Sequence, residues 1–105
     1  MVNEPFLNSF QKSIYFINTS RGKIVHTDSL INAMDTGKVS GAALDVLEFE
    51  SISFENLATN EIPKQLDYLY HSDKVVLSPH IAGWTIESYR KISEILADKI
   101  LNVLK

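Results

Sequence analysis

Three apolar stretches of the chain each give way to a residue with usable chemistry. Arg21 follows the run at 13–18, Asp45 lies at the end of the run at 39–46, and His80 follows the run at 74–78. A second acid, Glu50, stands five residues after Asp45. An arginine presents a planar fork of donors that can grip a carboxylate with two bonds. A histidine titrates near neutrality and can pass a proton to or from a hydroxyl. A carboxylate beside an imidazole favours its charged form. One arginine, two acids and one histidine at a common site suit oxidation or reduction of a 2-hydroxy or 2-oxo acid, with hydride carried by a cofactor. Each residue also has a plainer reading. Arg21 could form a surface ion pair, Asp45 could cap a turn, Glu48 or Glu50 could be a solvated loop acid, and a histidine after Ser-Pro could be structural.

The elements that must position these residues can be read from pattern. Asn3 can cap a short helix with Pro5 in its first turn, running to about Phe10. Residues 13–18 (SIYFIN) read as a buried strand, rich in β-branched and aromatic side chains. A polar loop follows. Thr27 or Asp28 can then cap a helix with Leu30, Ile31 and Met34 on one face, and Gly37 stands where a left-handed C-terminal cap belongs. Residues 39–46 (VSGAALDV) form a second apolar run. Residues 47–72 read as irregular, with helical pieces near 54–58 and 63–70. Residues 74–78 (KVVLS) are a third strand, stopped by Pro79. Thr85 can cap a long last helix whose Tyr89, Ile92, Leu96, Ile100 and Val103 make one apolar stripe, and Tyr89, Ile92 and Leu96 read as core or interdomain packing.

Strand, helix, strand, connection, strand, helix is the order of a parallel α/β sheet. Its strands are continuous apolar runs, which predicts helices on both faces. In such sheets ligands bind beyond the carboxyl ends of the strands. Arg21, Asp45 and His80 are therefore expected at one rim. His26 and His71 lack comparable context and read as surface residues. Trp84 fits core, pocket wall or interface equally well.

Composition narrows the function classes. The net charge of −3 offers no electrostatic reason to expect nucleic acid or a membrane surface as partner. The chain has no cysteine, so disulfides and thiolate chemistry are excluded, and a reducing cytoplasm fits. No apolar run approaches the roughly 18 residues that span a bilayer. The start, MVNEPFLNSF, lacks the basic region of a secretory signal.

The segments NTSRGKIV, GKVSGAALDVLEFE and LSPHIAGWT, in this order and with these separations, resemble the signatures of the D-isomer-specific 2-hydroxyacid dehydrogenases. The likeness covers essentially the whole chain. It implies a partial Rossmann-like, doubly wound sheet of about three parallel strands with flanking helices and a long C-terminal helix. It also implies that residues 1–105 are the C-terminal portion of a dinucleotide-binding domain. Catalysis falls on Arg21, Glu50 and His80. Arg21 would bind and orient the substrate carboxylate, His80 would exchange the proton, and Glu50 would orient His80. Cofactor contacts fall on Thr19, Ser20, Arg21, Asp45, His80, Ile81, Ala82 and Gly83. The implied cofactor is NAD, with NADP left open. The implied substrate is a small 2-hydroxy or 2-oxo acid, and the full-length protein is implied to be a cytoplasmic homodimer. One departure is Ser51, where the family usually has proline after the catalytic glutamate.

The family's glycine-rich phosphate turn, G-x-G-x-x-G, is not found among the glycines at 22, 37, 41 and 83. The acid expected about 20 positions later to read the ribose is missing with it. Met1 aligns with an internal position of the family, so the resemblance implies a fragment whose activity alone is in doubt. The alternative is a non-enzymatic remnant, or a cofactor-sensing or interaction module on the same fold.

Overall fold

A computed structural model describes residues 1–49 and 62–104. Its centre is one parallel sheet of three strands, β1 (Ile14–Asn18), β2 (Val39–Leu44) and β3 (Val75–Leu77), in the spatial order β1-β2-β3. Among the described residues four helices accompany it: α1 (Glu4–Asn8), α2 (Thr27–Asp35), α3 (Lys64–His71) and α4 (Ile86–Val103). The expected parallel α/β order is thus present. The expected helical piece at 54–58 lies outside the described residues; the one near 63–70 is α3.

Local chemistry explains most boundaries. Asn3 caps α1 by accepting from the Phe6 amide at 3.2 Å. The helix stops at Asn8, two residues short of the expected Phe10, where the Ser9 hydroxyl donates to the Phe6 carbonyl at 2.7 Å. Gly37 ends the α2 turn with φ of 77°, a left-handed conformation that costs other residues more. Thr85 caps α4 by accepting from the Ser88 amide at 3.0 Å.

The cap of α2 differs from expectation. Neither Thr27 nor Asp28 caps it. His26 occupies the cap position without a side-chain bond to the helix backbone, and Thr27 is already helical. The acceptor comes from elsewhere. Glu48 Oε2 takes the Thr27 amide at 2.8 Å and the Thr27 hydroxyl at 2.7 Å. A carboxylate is favoured there because the first helical N–H groups lack partners and the helix dipole is positive.

The core lies on one face of the sheet. Leu7 of α1, Leu30 and Met34 of α2 and Val39 of β2 are fully buried there, joined by Leu44 and by Leu69 of α3. Coverage of both faces was expected, and among the described residues the second face is bare. Tyr15, Ile17 and Val76 point from it and are 81%, 68% and 68% exposed. An open trough of about 540 Å³ runs across it, lined by these side chains with Gly41 and Ala43. The stripe on α4 is not core, which leaves the interdomain alternative of its reading: Tyr89, Ile92, Leu96, Ile100 and Val103 are all exposed, and no residue of the helix is buried. Among the described residues no helix is long and apolar enough to cross a membrane.

Candidate active site

The three strands end in register. Asn18 of β1 pairs with Leu44 of β2, which pairs with Leu77 of β3. The ladder runs one step further, with the Asp45 amide on the Asn18 carbonyl at 2.9 Å and the Ser78 amide on the Leu44 carbonyl at 3.1 Å. Beyond this row the chains leave the sheet. Arg21 stands three residues past the row, Asp45 one and His80 three. The expected common rim is therefore built by strand register.

Asn18 shapes the first loop. It is 3% exposed, and both ends of its amide are used. Its Oδ1 accepts from the Ser20 amide at 3.1 Å, and its Nδ2 donates to the Arg21 carbonyl at 3.1 Å. The two bonds fold residues 18–21 into a tight turn that leaves Thr19, Ser20 and Arg21 exposed. The Arg21 Nη1 donates to the Ser20 carbonyl at 2.7 Å. Gly22 follows in a short 3₁₀ turn (Gly22–Ile24). A Cβ on Gly22 would sit 1.8 Å from the Leu47 carbonyl oxygen, so only glycine lets this loop lie against the segment after β2.

Asp45 shapes the third loop. Its Oδ1 accepts from the Ser78 hydroxyl at 2.5 Å and the Ile81 amide at 2.9 Å, and its Oδ2 accepts from the Ala82 amide at 3.0 Å. The carboxylate is 4% exposed at the residue level, so these donors replace water. The Ser78 hydroxyl does most to hold its carboxyl below the ordinary carboxylate range. Burial opposes that shift, while the Ala82 and Ile81 amides and the nearby His80 support it. Between these anchors His80 takes φ of 56°, which side chains other than glycine seldom adopt. His80 and residues 81–83 stay exposed. A Cβ on Gly83 would meet nothing within 4 Å, so the backbone there can be approached closely.

The structure thus joins Asp45 directly to the His80 loop and sets Thr19, Ser20 and Arg21 on the neighbouring strand end. Glu50 lies outside the described residues. His26 and His71 are exposed as expected. Trp84, at 70% exposure, is not core. Sequence reasoning passed over Asn18 and Ser78, and weighed Glu48 only as a solvated loop acid. For Asn18 a signal existed, namely a polar amide on the buried side of an apolar strand. Among the described residues no cluster of acids and histidines could hold a metal ion.

Residues 1–82 match the family model described as the D-isomer specific 2-hydroxyacid dehydrogenase, NAD binding domain. The chain is 38% identical over 105 residues to a glyoxylate reductase of Thermofilum pendens, covering 100% of this chain and 28% of that protein. Among solved structures it resembles the NAD-complexed D-isomer specific 2-hydroxyacid dehydrogenase of Lactobacillus delbrueckii ssp. bulgaricus. The identity is 37% and the TM-score 0.72, over 100% of this chain and 33% of that one. A D-lactate dehydrogenase of Aquifex aeolicus, complexed with NAD and lactic acid, is similar at 32% identity and TM-score 0.68, over 99% of this chain and 32% of that one. The chain therefore spans about a third or less of the length of the relatives it matches.

Proposed function

Because the chain belongs to the D-isomer-specific 2-hydroxyacid dehydrogenases, through their NAD-binding domain, we propose that it supplies the proton-transfer and substrate-anchoring half of such an active site. The observation that carries this reading is the Asp45 carboxylate, which pins the His80 loop to the same strand rim that bears Arg21. The rim also suits a dinucleotide. Thr19 and Ser20 offer exposed hydroxyls, and Gly83 leaves its backbone open to close approach. NAD, when bound, supplies the hydride donor or acceptor.

The chain's own residues do the rest. Arg21 grips the carboxylate of a small 2-hydroxy or 2-oxo acid and turns its reacting oxygen toward the rim. His80 gives a proton to that oxygen in reduction and takes it in oxidation. Glu50, which stands where the family's catalytic glutamate falls, orients the imidazole. Thr19, Ser20, Asp45 and residues 80–83 form the nicotinamide side of the site. Asp45 contributes chiefly by shaping the loop, since both its oxygens are already bonded. In its complete form the protein acts as a cytoplasmic homodimer on this acid, with neither nucleic acid nor membrane as partner.

The test is a titration of the ¹⁵N-labelled chain, first with NAD and then with pyruvate. Shifts should concentrate at residues 19–21, 45 and 80–83. Shifts confined to the bare sheet face, or none at all, would overturn the proposal.

A further inference from the structure

Glu48 is three residues past Asp45, and its pattern marks it as a loop acid turned away from the site. The structure gives it a defined task. Its Oε2 accepts both the amide and the hydroxyl of Thr27, at 2.8 and 2.7 Å. Thr27 is 5% exposed, so both donors would lack a partner without it. His26 cannot substitute, because its ring is engaged with the Ser29 hydroxyl at 2.9 Å.

The geometry points to Glu48 as a positioning residue for Arg21. The loop at 19–26 carries Arg21 and is tied to the β2 end at three places. Asn18 fixes its start, through its turn bonds and through its carbonyl's bond from Asp45. Gly22 lies against the Leu47 carbonyl in its middle. Glu48 holds its far end at Thr27. A separate tie comes from Val2, whose amide donates to the Ile24 carbonyl at 2.8 Å and whose carbonyl accepts the His26 amide at 2.9 Å. That tie keeps the loop folded without Glu48. What Glu48 adds is the loop's placement against the segment bearing Asp45. A charged acceptor holds such donors about twice as strongly as a neutral one. This inference rests on the reading of Arg21 as the carboxylate anchor.

The experiment compares the full 105-residue chain with Glu48→Ala and Glu48→Gln, using amide exchange, nuclear Overhauser contacts and pyruvate titration. In Glu48→Ala, exchange at the Thr27 amide should rise about ten-fold or more, as expected for a lost bond to a charged acceptor. Half-saturation by pyruvate at the Arg21 amide should rise about five-fold or more, since small misplacements are costly. The Ala42 and Ala43 amides should keep their positions, and Glu48→Gln should fall between. Loss of Thr27 protection with pyruvate binding unchanged would reduce Glu48 to a helix cap and overturn the inference; so would unchanged Thr27 protection. If Glu48→Ala unfolds the sheet, Glu48→Gln decides by the same criteria. If pyruvate leaves Arg21 unmoved in the unaltered chain, the anchor reading fails by itself. The contact between Gly22 and Leu47 then decides for Glu48: its loss in the variant supports positioning, and its survival overturns it.

Discussion

Asp45 shapes the loop that carries His80 with both of its oxygens. Its three donors all come from residues flanking His80, so its charge state and the loop's conformation are linked. Its carboxyl is held below the ordinary range in the folded chain, against about 3.9 for a free aspartate. A depressed folded value means that its contribution to stability is fully present above about pH 3.9 and is lost as pH falls through the folded value. The melting temperature of the unaltered chain should therefore exceed that of Asp45→Asn at pH 6, and the gap should close below pH 4. A gap independent of pH would contradict this account. For chemistry, the informative background is a chimera carrying this segment in place of the matching part of the Thermofilum pendens glyoxylate reductase. There His80→Gln should lower kcat by about 10²- to 10⁴-fold, the usual range for a lost acid–base group. Arg21→Lys should chiefly raise KM, because a lysine cannot reproduce the two-bond grip. Steady-state kinetics with glyoxylate and NADH check both. The places of Arg21, Asp45 and His80 at one end of the sheet were legible, because each stands at or just past the end of an apolar run. Asn18 gave one signal, a polar amide in an apolar strand, and Ser78 gave none, because their work is hydrogen bonding to loop backbone and to a buried carboxylate, which spacing alone does not encode.

Elements with local causes were the legible ones. The Asn3 and Thr85 caps and the Gly37 terminator are set by side chains within a few residues, and the structure has all three. The α2 cap was misread because its acceptor, Glu48, lies 21 residues from Thr27. Nothing in the TDSL sequence announces a carboxylate arriving from another loop. The close packing of the two loops makes a sharp prediction at Gly22. Adding a methyl group there would collide with the Leu47 backbone, which cannot rotate aside as a side chain could. Gly22→Ala should destabilise the chain by about 1–3 kcal/mol, as over-packing does. It should also shift the Arg21 and Asp45 amides together. Urea unfolding gives the first quantity and a heteronuclear correlation spectrum the second. An effect on neither would mean that the loops separate readily, and that the rim is less rigid than its hydrogen bonds imply.

At the scale of the whole molecule, apolar pattern and actual burial part company. The strands are apolar on both sides, a composition that predicts a sheet covered on both faces. The described residues cover it once. The chain exposes 8020 Å², against about 5,900 Å² for a compact monomer of its mass. Its radius of gyration is 17.5 Å, against about 13 Å for a compact domain of this length. The excess has identifiable sources in the bare face at Tyr15, Ile17 and Val76 and in the apolar stripe of α4. Exposed apolar faces of this kind favour association. The isolated chain should therefore bind a hydrophobic dye strongly and show concentration-dependent sedimentation. Ile17→Lys with Val76→Lys should suppress both, because the two side chains lie on the bare face and their charged ends can reach water. Turnover of pyruvate by the isolated chain with NADH should be negligible, since the sequence lacks the glycine-rich turn that holds a dinucleotide's pyrophosphate. Weak dye binding and a concentration-independent monomer would show that the bare face is covered within the chain itself. Saturable turnover would show that the Arg21–His80 rim holds the cofactor well enough for catalysis without that turn.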